Sequence, residues 1–195
     1  MDKEKLLEQL NQEWSKKIKS PLIKTCKQFV YGSGSANANI IFIGEAPGKK
    51  EDELGKPFVG ASGKFLDEML NEINLNRDNV YITNIVKCRP PNNRDPLPEE
   101  KEEFWPWLVD QIKLIDPKII ITLGRHSLSN FIPNPIISKM HGTVLRRDIP
   151  GLGKIRVYAI YHPAAALYNG SMRETLMNDF KKIPKILDLI EENEI

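Results

Sequence analysis

At 195 residues, with 41% hydrophobic and 28% charged side chains, the chain can bury a core without metals or disulfides to hold it, and one domain over residues 1–195 is expected. No apolar run approaches the roughly 20 residues that span a bilayer, and Met1 to Leu10 is charged from its second residue with no apolar signal core, so a cytoplasmic protein is expected. The net charge of +2 does not by itself announce a nucleic-acid partner, and two cysteines, Cys26 and Cys88, are too few for a four-thiolate metal centre or a disulfide framework.

Leu6, Leu10 and Trp14 recur at helical spacing in a charged opening segment, which predicts an amphipathic helix packed on the body. Ile40 to Ile43 is a short apolar run ending in Gly44-Glu45-Ala46-Pro47-Gly48, the punctuation of a buried strand entering a loop. Phe65, Leu66, Met69, Leu70 and Ile73 predict a helix, Val80 to Val86 a strand, and Leu97 to Ile115 a helix started by Pro98 and interrupted by Pro106. Ile119 to Leu123 is a third strand, stopped by Gly124. Two β-rich runs between Thr143 and Ile160 flank Pro150-Gly151-Leu152-Gly153 as a hairpin, and Lys181 to Glu192 closes the chain as a helix.

Strands alternating with helices predict an α/β fold: three layers, α/β/α, around a mostly parallel sheet of four or five strands. Ligands of such folds bind beyond the carboxyl ends of the strands. Gly44 to Gly48, Thr83 to Pro91 and Tyr161 to Ala166 all fall at predicted strand ends, so chemistry is expected to converge there. Charge is also uneven. Ile136 to Arg173 carries six Lys or Arg (Lys139, Arg146, Arg147, Lys154, Arg156, Arg173) against the single acid Asp148. A solvated hairpin is the ordinary explanation, and a face for phosphates the functional one.

Gly44-Glu45-Ala46-Pro47-Gly48, Glu51-Asp52, Gly55-Lys56-Pro57-Phe58-Val59-Gly60, Val80 through Pro91 and His162-Pro163 occur in that order. Together they resemble the family 4 uracil-DNA glycosylases, from about Pro21 to Phe180. The resemblance implies a uracil-DNA glycosylase-like fold and a hydrolase of base excision repair. It would act as a monomer on uracil-containing DNA, cutting the N-glycosidic bond of a flipped-out nucleotide. Extruding a base from the duplex costs a few kcal/mol, which the pocket must offset.

The resemblance places Gly44, Ala46, Glu51, Phe58 and Asn84 around the base. Phe58 is its stacking platform, although most buried Phe residues serve packing alone. Asn84 reads the base: its amide matches the O4 acceptor and N3 donor of uracil and mismatches cytosine, where a strand-end cap is the ordinary alternative. His162 donates to uracil O2 as the base leaves as an anion. His126 and His141 lie outside the motifs and read as structural. Ala46 stands where the best-studied branch of the superfamily has a water-activating Asp. Glu45 and Glu51 are then the nearby carboxylates, with Glu45 the catalytic candidate and Glu51 near uracil C5. Leu167 is the expected wedge into the vacated stack, with Tyr168 second; Arg173 and the helix start at Ser62 are phosphate contacts.

Family 4 enzymes hold a 4Fe–4S cluster on four cysteines. The matching positions here are Lys17, Ser20, Cys88 and Phe104, so only one ligand remains and no cofactor or metal is expected. Phe104 is expected to fill the cluster space with residues of the Lys16 to Leu22 turn. Two other functions stay open: a DNA-binding repair protein of this fold with weakened catalysis, and a glycosylase preferring deaminated purines. A generic nucleotide-binding protein is disfavoured by the lack of any phosphate-loop or dinucleotide glycine fingerprint.

Overall fold

The computed structural model describes residues 2–195. Asp2 caps the first helix, α1 (Lys3–Lys17), and its apolar stripe turns inward, with Leu7 buried and Leu10 and Trp14 against the core. A short strand, β1 (Ser33–Gly34), precedes β2 (Ile40–Gly44), and a helical turn, α2 (Lys49–Leu54), leads to α3 (Ala61–Glu72). Next come β3 (Tyr81–Asn84), the long α4 (Pro98–Ile115), β4 (Ile119–Leu123), and two single turns, α5 (Arg125–Leu128) and α6 (Ile137–Met140). The hairpin strands β5 (Thr143–Ile149) and β6 (Gly153–Ile160) are followed by α7 (Ala165–Tyr168), α8 (Gly170–Lys181) and α9 (Ile183–Glu191).

All these strands form one sheet in the order β1-β3-β2-β4-β6-β5. The inner four, β3, β2, β4 and β6, are mutually parallel, and the two edges are antiparallel. Among the described residues the sheet therefore has six strands, not the expected four or five. The difference lies in β1, only two residues long, and in β5, which adds the hairpin to the far edge. Residues of β2 alternate between faces. Ile41 and Ile43 join α1 and α4 in one core, while Ile40 and Phe42 join α3, α8 and α9 in the other. Burial on both faces explains why β2 and β4 are continuous apolar runs rather than alternating ones. Each fully buried Ile or Leu contributes about 1.5–3 kcal/mol relative to exposure.

Pro106 does not interrupt α4, which continues past it to Ile115. Pro98 occupies the first turn, where its missing N–H is not needed, and Glu100 accepts the Leu97 N–H at 2.8 Å. The α4 side chains Trp107 and Gln111 both donate to the buried Asn11 of α1, at 2.9 and 2.8 Å. That network fixes the register of the two helices.

Two further departures concern the surroundings of the sheet. Cys26 and Cys88 are joined as a disulfide with Cα atoms 5.4 Å apart, tying the N-terminal segment to the loop after β3. The hairpin arginines and lysines lie away from the strand ends where chemistry was expected. The β5–β6 pairing sets Arg146 opposite Arg156 and Asp148 opposite Lys154, toward the start of β6, whereas Tyr161 and His162 follow its far end. Lys154 and Arg156 instead border a smaller hollow with Lys113 and Lys118.

Candidate active site

Loops at the carboxyl ends of β2, β3, β4 and β6 enclose a cleft of about 770 Å³. Phe58, Asn84 and His162, from three distant segments, line it together, with Glu45, Ala46, Glu51, Ser62 and Tyr168. Gly44 lies beneath them. A Cβ there would sit 2.7 Å from Phe58 Cζ and would also overlap Asn84 Oδ1. Only a residue without a side chain lets the aromatic ring and the amide approach each other across β2.

Asn84 ends β3 and is 2% exposed, and its Oδ1 is buried with no hydrogen-bond partner. An orphaned acceptor of this kind costs about 1–3 kcal/mol unless a ligand donates to it. Its backbone is pinned by Lys87, which is fully buried and donates from Nζ to the Asn84 carbonyl and to Thr83 Oγ1, both at 2.7 Å. Burial holds that amine well below the usual lysine range.

Phe58 is buried and adopts φ 53°, the left-handed region that L side chains avoid. Arg77 holds it there, donating to the Pro57 carbonyl at 2.9 Å and to the Phe58 carbonyl while its Nε donates to Asp67 at 2.6 Å. Glu51 secures the next residues, accepting the Val59 and Gly60 N–H groups at 2.9 Å each. Its carboxylate thus supports the loop as well as bordering the cleft.

His162 faces Phe58 with ring centroids 5.7 Å apart and planes 30° from parallel. Its Nδ1 accepts the Ala164 N–H at 3.1 Å, so the proton of the neutral ring resides on Nε2. Burial pushes its pKa down to about 4; neighbouring His126 lowers it further and Glu51 opposes. At neutral pH the ring is an uncharged donor.

Glu45 follows β2. Lys101 Nζ lies 3.2 Å and His126 Nδ1 3.5 Å from its Oε1, which is buried and receives no well-directed hydrogen bond. On the outer rim Leu167 is 43% and Tyr168 91% exposed. Arg173 pairs with Glu68 and lies over the Phe65 ring, 4.4 Å from its centroid, rather than projecting freely. His141 pairs with buried Asp179 at 2.7 Å, a structural contact. His126, by contrast, lines the cleft beside Asp95 and Arg94, three residues that sequence reasoning did not place there. The run Asn92-Asn93-Arg94-Asp95 directly after Pro91 was the available signal.

The profile of the uracil DNA glycosylase superfamily matches residues 31–187. The type-4 uracil-DNA glycosylase of Archaeoglobus fulgidus is 49% identical over 174 residues, 86% of each chain. That of Saccharolobus solfataricus is 50% identical over 175 residues, 87% of this chain and 81% of the relative. A type-5 uracil-DNA glycosylase, from Pyrobaculum aerophilum, is only 30% identical over 67% of this chain. The chain belongs to the type-4 uracil-DNA glycosylase family.

Membership of the type-4 family raises the question of its iron–sulfur cluster. Two cysteines cannot supply four ligands. Nor do the residues present fit the group: Cys88 is bonded to Cys26, Ser20 caps the turn over residues 21–24, and Phe104 is fully buried. Phe104 shares a core with Ile18, Leu22, Cys88 and Trp107, and its ring stacks on Trp107 with centroids 6.1 Å apart. Apolar packing around Phe104 and the Cys26–Cys88 bridge occupy this part of the chain.

Proposed function

We propose that this chain hydrolyses the N-glycosidic bond of uracil in DNA after the nucleotide has swung out of the helix. The unpartnered Oδ1 of Asn84, in the same cleft as the Phe58 ring and the Nε2–H of His162, carries the reading. Uracil N3–H satisfies that oxygen, and the Asn84 amide N–H donates to O4. Cytosine offers neither complement and would leave buried polar atoms unpaired. Phe58 stacks on the base for about 1–3 kcal/mol. Leu167, backed by Tyr168, fills the gap left in the duplex.

In the reaction the C1′–N1 bond breaks with its electron pair passing to N1. His162 stabilises the developing anion by donating from Nε2 to O2, which needs no proton transfer. Water then bonds to C1′ of the oxocarbenium-like sugar and sheds a proton to the Glu45 carboxylate, which returns it to solvent. Solvent protonates the departed uracil at N1. The products are uracil and an abasic site.

Single-turnover cleavage of a uracil-containing oligonucleotide tests this. The wild type is expected to release uracil, while His162→Ala and Asn84→Ala slow release by about a hundredfold or more and still unfold cooperatively in a thermal melt at neutral pH. Equal rates in all three would remove the assigned roles. Faster release of hypoxanthine or xanthine than of uracil would move the activity to deaminated purines.

A further inference from the structure

Glu45 is one of three side chains whose ligating atoms lie within 4.8 Å of one another, the others being His126 and Asp95. They come from separate segments: the end of β2, the first turn of α5 and the loop before α4. His126 stands in the middle. Its Nδ1 is 3.5 Å from Glu45 Oε1, and its Nε2 is 3.5 Å from Asp95 Oδ2. Arg125 donates from Nε to that same Nε2 at 3.3 Å, which leaves the proton of a neutral ring on Nδ1, facing Glu45.

A cation held by the three is the first possibility such a group suggests. Charge argues against it. Lys101 already lies 3.2 Å from Glu45 Oε1, and the Arg125 guanidinium contacts the imidazole, so a divalent ion would enter beside two fixed positive charges. What the group lacks is the reverse: Glu45 Oε1 is out of solvent and no donor is well aligned to it. Hydrogen bonds of this kind are commonly long before substrate binds and tighten in the complex.

We propose that His126 is a positioning residue for hydrolysis, orienting the Glu45 carboxylate toward the attacking water while the Arg125 hydrogen bond to Nε2 fixes the imidazole. The inference rests on the glycosylase reading and deepens it. His126 transfers no proton itself; the water's proton goes to Glu45 as before. The rigidity of the arrangement comes from the loop. Arg94, next to Asp95, is gripped by Glu100 through two hydrogen bonds of 2.8 and 2.6 Å, and the same loop is tethered at Cys88.

A double-mutant cycle provides the test. His126→Ala is expected to slow single-turnover uracil release about tenfold, as the loss of one orienting contact would. Binding of a duplex carrying the non-cleavable 2′-fluoro-2′-deoxyuridine should stay the same. His126→Asn, which keeps a donor near Nδ1, should recover part of the rate. In a Glu45→Gln background, His126→Ala should change nothing further. If His126→Ala folds poorly, Arg125→Ala, on an exposed side chain, should slow release about threefold by removing the hydrogen bond that fixes the imidazole.

Unchanged rates, an equal loss in the Glu45→Gln background, or a loss matched by weaker duplex binding would overturn the proposal. A rate that falls on chelation and returns with magnesium would also overturn it, assigning the three side chains to a cation. A wild-type protein that releases no uracil would instead overturn the glycosylase reading, whatever the variants do.

Discussion

The Ala164 amide donates to Nδ1 of His162, so protonating that nitrogen would break the bond that orients the ring, and the proposed donation from Nε2 to the leaving base relies on the neutral form. A histidine of ordinary pKa near 6.5 would titrate within the working range, but burial moves this one to about 4. Two outcomes follow at the level of this residue. Between pH 6.5 and 4 the unfolded chain binds a proton that native His162 refuses, so its contribution to stability is present above 6.5 and is lost as pH falls through that window. Thermal melts should show the wild type losing more stability than His162→Ala between about pH 7 and pH 5. The acid limb that His162 imposes on uracil release should appear near pH 4 rather than near 6.5 in a single-turnover pH profile. Motif spacing made Phe58, Asn84 and His162 legible as a set, since each sits at a predicted strand end or in a glycine-bearing loop. His126 was not legible, because a histidine after Leu123-Gly124-Arg125 looks the same whether its ring turns into the core or into a cleft.

Among the elements, the segment from Pro57 to Gly60 does the most with the least regular structure. Its left-handed Phe58 is held by a residue from elsewhere in the chain, Arg77, which reaches the Pro57 and Phe58 carbonyls from the turn before β3. Arg77→Ala removes charge-assisted bonds to both and should cost about 1–3 kcal/mol in chemical denaturation. It should also raise the KM for uracil-containing DNA more than it lowers kcat, because the displaced ring is the proposed binding platform. A kcat effect alone would contradict that role. Elements with strong periodicity were readable: β2 and β4 stand where their apolar runs predicted. The helix α8 was missed because Met172, Leu176, Met177 and Phe180, although helically spaced, follow directly on Asn169-Gly170-Ser171, residues common in turns. Pro106 misled in the opposite direction. A proline was taken to interrupt α4, yet packing of Trp107, Leu108, Gln111 and Ile112 carries the helix through.

For the whole molecule, the sheet and its two cores follow from alternation along β2 and β4, and the six-strand count differs from expectation only at the edges. The pairing of Cys26 with Cys88 could not be read from the chain. Sixty-two residues separate them, and their meeting depends on how the N-terminal segment folds back over the loop after β3. Closing a loop of that length restricts the unfolded chain by about 4 kcal/mol in the chain-entropy description. Cys26→Ser, or reduction of the native protein, should therefore lower the melting temperature measurably, while chelators should leave it unchanged. A melting temperature indifferent to reductant would deny the bridge a part in stability.

That bridge changes what the protein asks of its surroundings. An enzyme pinned together by an inorganic cofactor is only as abundant as the machinery that builds and inserts it. A chain whose clasp is made from two of its own side chains matures without such a delivery step, and depends instead on how oxidising its environment is while it folds.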